Sequence, residues 1–285
     1  MLRTWEARGR LVVPDLAPRV MGIVNVTPDS FSDGGRALAF EDAVEQGARL
    51  VDEGADLLEI GGESTRPGSD PVPLEEELRR VVPVVAALAA RVAAPISVDT
   101  TKAEVARQAL AAGASIINDV TALGSDRALT RVVAESGAGV VLMHMQGVPR
   151  TMQADPRYDD VVAEVLEFLE QRIAWAESMG VPRARIAIDP GIGFGKTLEH
   201  NLLILRNIDR FANLGCAVLV GTSRKRMLGE LTGRPVLQRG AATVASSLAA
   251  AVRGANVVRV HDVAPMVDAI KVWTAVRGWD EEQAK

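Results

Sequence analysis

The chain has 285 residues, 48% of them hydrophobic and 24% charged, and Asp plus Glu outnumber Lys plus Arg by 37 to 32 for a formal charge of -5. That composition excludes a disordered chain and gives no general attraction to nucleic acid or an anionic membrane. With no Pro/Gly/Ser-rich linker to divide it, residues 1–285 are expected to form one domain around one large core.

The opening stretch "MLRTWEARGR" lacks the apolar core of a secretory signal, and no later run has the roughly 20 apolar residues of a membrane helix. A cytoplasmic protein with neither membrane nor nucleic-acid partner is expected. The lone cysteine, Cys216, cannot form an intrachain disulfide and reads as a small core-edge residue. Residues 1–19, with "GRLVVPDLAPR", predict a short strand or hairpin closing the floor of whatever follows.

Eight apolar, β-prone runs then recur: "VMGIVNVT" (20–27), "DLLEIGG" (56–62), "PISVD" (95–99), "SIINDVT" (115–121), "GVVLMH" (139–144), "RIAIDP" (185–190), "CAVLVGTS" (216–223) and "NVVRVHD" (256–262). Their continuous rather than alternating character suits parallel strands covered on both faces. Helical patterns lie between and after them, at 39–54, 74–93, 102–112, 126–137, 159–179, 198–211, 237–253 and 263–276. Within 74–93, Leu74, Leu78, Val81, Val85 and Leu88 form one stripe, Glu75 to Glu77 favour the positive helix end, and Pro83 predicts a kink rather than two elements. "GA" pairs at 54–55, 113–114, 137–138 and 254–255 place glycine where a helix ends and a strand begins. Eight βα units without a fixed sequence period predict an α/β fold of the TIM (β/α)8 barrel class.

Six of the runs end in groups that a dry core would reject: Asn25, Asp99, Asn118, Asp189, Ser223 with Arg224 and Lys225, and Arg259 with His261. A barrel brings the carboxyl ends of all its strands to one mouth, so these scattered residues are expected to share a site. Two long loops, "NVTPDSFSDGG" and "GGESTRPGSDPVP", follow the first two strands and read as mobile covers over it.

The ordered blocks "MGIVNVTPDSFSDGG", "IGGESTRPG", "SVDTTK", "INDVT", "MHMQGVPRTMQ", "DPGIGFGK", "GTSRKR" and "RVHDV" closely resemble the bacterial dihydropteroate synthase family over nearly the whole chain. The resemblance implies a pterin-binding barrel enzyme that joins 4-aminobenzoate to a (dihydropterin-6-yl)methyl diphosphate, by a dissociative substitution, releasing diphosphate and 7,8-dihydropteroate. It also implies Mg2+ dependence and a homodimer. The alternative within the same wider family is a methyltransferase moving a methyl group from a methylated folate to a corrinoid protein, which needs neither a diphosphate cradle nor the "ESTRPG" loop. A third reading, from another class, is a non-catalytic pterin-binding relative.

Carried onto this chain, the resemblance makes Asp189 the carboxylate that anchors the pterin. The pterin edge donates two parallel hydrogen bonds, from a 2-amino group and a protonated N3, and a charged acceptor strengthens both. Asn118 offers a donor and an acceptor beside it, Met143 lines the ring plane, and Phe194 packs at the pocket edge. The glycines of "GIGFGK" leave room for a flat ring; their spacing is not that of a phosphate loop. Asp99 is implied near the reacting side, where an anion stabilises the cation formed as diphosphate leaves; its structural alternative is a bridge to Lys102. Lys225 is implied to contact the pterin and lie near the aminobenzoate; a Schiff-base role is the competing reading, and the adjoining basic cluster argues against it. Asp99, Lys225 and Arg259 make up the catalytic set. Arg259 and His261, with Asn25, Thr65 and Arg66, are implied around the diphosphate. Phe31, Thr65, Arg66, Pro67, Ser223 and Lys225 are implied around 4-aminobenzoate. Asn25 is the implied Mg2+ contact, one amide oxygen being sufficient for an ion that keeps waters and leans on substrate phosphates. His144 stays outside the catalytic set, as a residue suited to ordering its loop. Two departures stand out: Glu59, where the family often carries aspartate, and Arg226, where some relatives have serine. Glu63 is read as a brace for the Thr65–Pro67 loop.

Overall fold

The computed structural model describes residues 4–13, 17–26, 36–65 and 68–277. The chain enters through an antiparallel hairpin of β1 (Trp5–Ala7) and β2 (Arg10–Val13). Eight parallel strands follow: β3 (Arg19–Asn25), β4 (Leu57–Gly61), β5 (Ile96–Asp99), β6 (Ile116–Asp119), β7 (Gly139–Met143), β8 (Ile186–Asp189), β9 (Ala217–Val220) and β10 (Val257–Val260). Each pairs with its sequence neighbour, and β10 pairs with β3, so the sheet closes as a (β/α)8 barrel in a single α/β domain. Seven of the eight apolar runs contain one of these strands whole, and β3 begins one residue before its run.

Side chains alternate across the pleat, and the two faces pack against different partners. Val20, Val24, Leu58, Ile60, Val98, Ile117, Leu142 and Ile188 face outward and join Val81, Val85, Leu88 and Val105 of the surrounding helices in one core. Met21, Leu57, Ile116, Val141, Ala187 and Val257 face inward near the strand starts. The hairpin plugs that end, its Trp5, Ala7 and Val13 packing on the inner residues. Trp5 Nε1 donates to the Arg185 carbonyl at 3.1 Å, and the Arg8 guanidinium to the carbonyls of Leu110 and Ala114 at 2.9 and 3.1 Å. Each large apolar side chain buried in this way contributes about 1.5–3 kcal/mol.

The helices are α1 (Arg36–Asp52), α2 (Leu74–Arg91), α3 (Ala103–Ala111), α4 (Arg127–Ser136), α5 (Val161–Ser178), α6 (Leu198–Arg206), α7 (Ile208–Ala212), α8 (Arg226–Thr232), α9 (Gly240–Val252) and α10 (Val263–Arg277). Asp126 and Asp160 cap α4 and α5 by accepting backbone N–H groups, and Thr197 with His200 forms a capping box on α6. Pro83 sits inside one helix, α2. All four "GA" glycines have positive φ, between 73° and 118°, so each junction uses a backbone that L side chains avoid.

Three boundaries differ from the sequence reading. The single helix expected at 198–211 breaks at Asn207, whose Nδ2 donates to the Leu203 carbonyl at 2.8 Å while its N–H turns to Ile204, three residues back. That local bonding competes with the helical ladder. An unexpected short helix, α8, follows the β9 end and stops at Gly233, φ 70°. The helix expected from 237 begins at Gly240, after a 3-10 turn at Val236–Gln238.

Candidate active site

The strand register sets the level of the polar groups. Asn25 pairs with Gly61, Gly61 with Asp99, and Asp99 with Asn118 around the rim, while Asp189 pairs with Met143 on the far side. Asp99, Asn118 and Asp189 are all less than a tenth exposed, and their inward direction follows from the outward packing of Val98, Ile117 and Ile188 next to them. Asn25 lies half-buried at the end of β3.

Beneath this ring lies an internal ion pair. Glu59, on the inward face of β4 and 1% exposed, is bound by the Arg259 guanidinium and accepts from Asn118 Nδ2 at 3.0 Å. The same guanidinium reaches Asp99 at 3.7 Å. Burial pushes the Glu59 carboxyl up and Arg259 pulls it back. Asp99 is raised well above the usual carboxylate range by burial and then by the Glu59 charge. Asp189 is also raised by burial, with Lys225 opposing. The cluster therefore holds three carboxyl groups around few cations, an arrangement that favours an incoming group carrying positive charge or several N–H donors.

The loop after β8 is built around Asp189. Its Oδ1 accepts from Gly191 N at 2.7 Å, and the chain then turns back on the end of β7. A Cβ on Gly191, φ 70°, would overlap the His144 carbonyl oxygen, and one on Gly193, φ 82°, would press on Lys225 at 3.0 Å. Here the glycines serve close backbone packing and the passage of a lysine. Lys225 Nζ donates to the Ile192 carbonyl and stands 4.4 Å from the Phe194 ring centroid, a cation–π arrangement. Burial lowers its pKa to about 8, against the pull of Asp189.

Ser223 and His261 meet across the mouth: Ser223 Oγ lies 2.9 Å from His261 Nδ1 and accepts from its backbone N–H at 3.2 Å. The neighbouring Arg224, held at φ 57°, pairs with Asp262 at 2.6 Å and ties the β9 and β10 ends together. Arg226 turns away to Glu230 on the exposed face of α8. Thr65 is half-buried in the loop after β4; Phe31, with residues 27–35 of the first implied cover, and Arg66 and Pro67 of the second lie outside the described residues.

Lys196 and Arg239 had no part in the sequence reading, and Lys102 entered it only as an alternative partner for Asp99. Lys196, 3% exposed, sits 2.9 Å from His144 Nδ1 and donates to the Phe194 carbonyl at 3.0 Å; burial lowers Lys196 to about 7 and His144 to about 3. Arg239 donates to the carbonyls of Arg224 and Lys225 at 3.1 and 3.2 Å, holding the basic loop. Lys102 bonds not to Asp99 but to Glu77 and Glu63, and Glu63 also accepts from Val72 N at 3.0 Å, so the Thr65 loop is braced at its base. A charge in the middle of an otherwise apolar strand was the available signal for Glu59; for Lys196, Arg239 and Lys102 no spacing signal existed.

A barrel whose acidic mouth is crossed by a cation and backed by an arginine belongs to the class of pterin-binding enzymes: residues 21–261 match the family described as "Pterin binding enzyme". The dihydropteroate synthase of Neisseria meningitidis serogroup C is 47% identical over 276 residues, covering 95% of this chain and 97% of that one. The Xanthomonas albilineans dihydropteroate synthase solved with 4-aminobenzoic acid is 54% identical, with a TM-score of 0.91 over 98% of this chain and 100% of that one. The same organism's enzyme in complex with 7,8-dihydropteroate gives 52% identity and a TM-score of 0.87 over 97% and 100%. The chain belongs to the bacterial-type dihydropteroate synthase family.

Proposed function

We propose that the mouth binds the dihydropterin ring against Asp189, Asn118, Asp99 and Met143, with its diphosphate toward Arg259 and His261. The reaction is the family's: a transferase of folate biosynthesis condenses (7,8-dihydropterin-6-yl)methyl diphosphate with 4-aminobenzoate to give 7,8-dihydropteroate and diphosphate. Relatives solved with 4-aminobenzoic acid and with 7,8-dihydropteroate support both ligand classes. The observation that carries the assignment is the convergence of Asp99, Asn118 and Asp189 on one inner rim with Arg259 reaching Asp99 at 3.7 Å.

In this reading the carbon–oxygen bond of the methylene breaks first. Diphosphate leaves with the bonding pair, and the cation left on the ring and methylene is stabilised by Asp99. Lys225, held over Phe194, orients the ring. The arylamine nitrogen then bonds to the methylene carbon and loses a proton. Ser223, Thr65, Phe31, Arg66 and Pro67 are proposed around the aminobenzoate, and Thr65 and Arg66 also around the diphosphate. Aminobenzoate binds second, after the pterin and diphosphate assemble the loops. Labelled aminobenzoate that binds tightly with neither pterin diphosphate nor diphosphate present would defeat that order.

Mg2+ is part of the proposal. Asn25 would supply an amide oxygen on the same rim as Asp99, and an ion that would take its other oxygens from water and diphosphate needs no closed cage of side chains. When bound it neutralises charge on the leaving diphosphate. We also propose a homodimer through the C-terminal helices, where Leu237, Val252, Val272 and Val276 are between 54% and 83% exposed, to be checked by sedimentation equilibrium. A cytoplasmic location completes the reading, supported by the single, buried Cys216. Among the described residues no helix is long and apolar enough to cross a membrane.

The test combines the purified protein with Mg2+, dihydropterin diphosphate and 4-aminobenzoate. Diphosphate and dihydropteroate are expected in equal amounts, and their absence would sink the assignment.

A further inference from the structure

We infer that Glu59 is a positioning residue that sets the orientation of the Asn118 amide, so that Asn118 turns its side-chain oxygen toward the heterocycle. The inference rests on the proposed seating of a pterin in the mouth and adds which hydrogen-bonding edge of it the site accepts. Glu59 divides its carboxylate between two partners: one oxygen meets Arg259 Nε, and Oε1 meets Asn118 Nδ2 at 3.0 Å. A guanidinium has no acceptor, and a carboxylate paired with it has no donor. The NH2 of Asn118 must therefore face inward to Glu59, and its oxygen must face the other way. That Oδ1 is buried and has no hydrogen-bond partner among the described residues.

An acceptor buried alone is costly, and the cost is relieved when a ligand N–H reaches it. The rest of the rim agrees. Asp99 and Asp189 present carboxyl oxygens on the same rim, and Lys225 is anchored on the Ile192 carbonyl. The arrangement selects a flat ring whose inner edge carries several N–H donors, as an amino-substituted, reduced pyrimidinone-fused ring does.

The test exchanges donor and acceptor between the two positions. In Glu59→Gln the new amide keeps its oxygen toward Arg259 and turns its NH2 to Asn118, which must flip and show its own NH2 to the ring. Binding of 7,8-dihydropterin without diphosphate should then weaken by about tenfold or more, the loss of one buried hydrogen bond. Adding Asn118→Asp restores the pattern: the new carboxylate accepts from position 59, keeps an oxygen for the ring, and leaves the charge of the cluster as in the parent. The double variant should recover to within about threefold of the parent. Asn118→Asp alone, which sets two carboxylates together, should bind more weakly than the double variant. A double variant no tighter than Glu59→Gln, or a Glu59→Gln protein that binds like the parent, overturns the inference. NMR of the Asn118 side-chain NH2 in the parent gives a readout that needs no variant to fold. The proton held by Glu59 should be protected from exchange before and after dihydropterin is added; protection of it that arises only on ligand binding overturns the inference. A parent protein that does not bind dihydropterin at all overturns the proposed function, and this inference with it.

Discussion

Lys196 Nζ and His144 Nδ1 lie 2.9 Å apart, both buried, and together they fasten the glycine-rich loop after β8 to the end of β7. When Lys196 is protonated it can only donate, so Nδ1 is then the acceptor and the imidazole carries its proton on Nε2. The same Nζ donates to the Phe194 carbonyl, which fixes the loop segment over which Lys225 sits. Replacing Lys196 by Met leaves both acceptors buried without this donor, at about 1–3 kcal/mol each. Chemical denaturation should show that loss, and dihydropterin binding should weaken with it.

The acid limb of the stability profile should carry the signature of His144. Its folded pKa is lowered to about 3 by burial and by Lys196, below the ordinary value of 6.5. Between those values the unfolded chain binds the proton and the folded protein does not, so this group's contribution to stability falls as pH drops from about 6.5 toward 3. The buried carboxyls Asp99 and Asp189, raised by burial, act in the opposite direction. Thermal unfolding of the parent and of His144→Gln across that range should therefore differ in slope, the parent losing stability faster toward acid. Parallel curves would remove the assignment.

Lys225 should make pterin binding sensitive to alkaline pH. Burial holds its pKa near 8, so the ammonium over Phe194 is lost as pH rises through that value. Affinity for dihydropterin is expected to decline there in the parent and to be weaker but flat in Lys225→Met. The stability contribution runs the other way: between about 8 and the ordinary lysine value of 10.5 the unfolded chain binds more protons, so this group's cost to folding shrinks as pH rises.

Asp189 and Arg259 should separate the two halves of the first substrate. Asp189→Asn is expected to weaken free dihydropterin and the diphosphate ester alike, by tenfold or more if about 1.5–3 kcal/mol of charge-assisted bonding is lost. Arg259→Met should chiefly weaken the ester. It also leaves Glu59 as a buried charge without its guanidinium, costing about 3–5 kcal/mol of stability. Adding Glu59→Gln should return part of that stability without returning affinity for the diphosphate. Calorimetry on both ligands, with unfolding curves for each variant, checks the division.

Lys102 should act on the second substrate. Its ammonium joins buried Glu77 to Glu63, which holds the base of the Thr65 loop through Val72 N. Lys102→Met is expected to raise the KM for 4-aminobenzoate severalfold while dihydropterin affinity changes little. Equal losses for both substrates would show that the brace supports the whole mouth.

Much of the fold was legible because parallel barrel strands announce themselves as apolar runs, and the groups that end them are the ones a dry interior rejects. Asp99, Asn118 and Asp189 stood out for that reason, as did Arg259 and His261. Asn207 was not legible as a helix break, since asparagine is tolerated within helices and only its bond to Leu203 decides the matter. The role of Glu59 was also hidden: a lone acid in an apolar strand signals burial with a partner but does not say which one. Its partners lie 59 and 200 positions away, brought within reach by closure of the sheet.

The amino-acid sequence by itself determined the eight βα units, the ring of polar strand ends and the family, because strand periodicity, turn chemistry and ordered motifs are local properties of the chain. Only the tertiary structure decided which acid meets which base, that Lys196 latches the loop to His144, and which way the Asn118 amide turns. Those choices depend on contacts across a closed barrel, where burial removes water as a competing partner and makes each donor and acceptor answer to one neighbour.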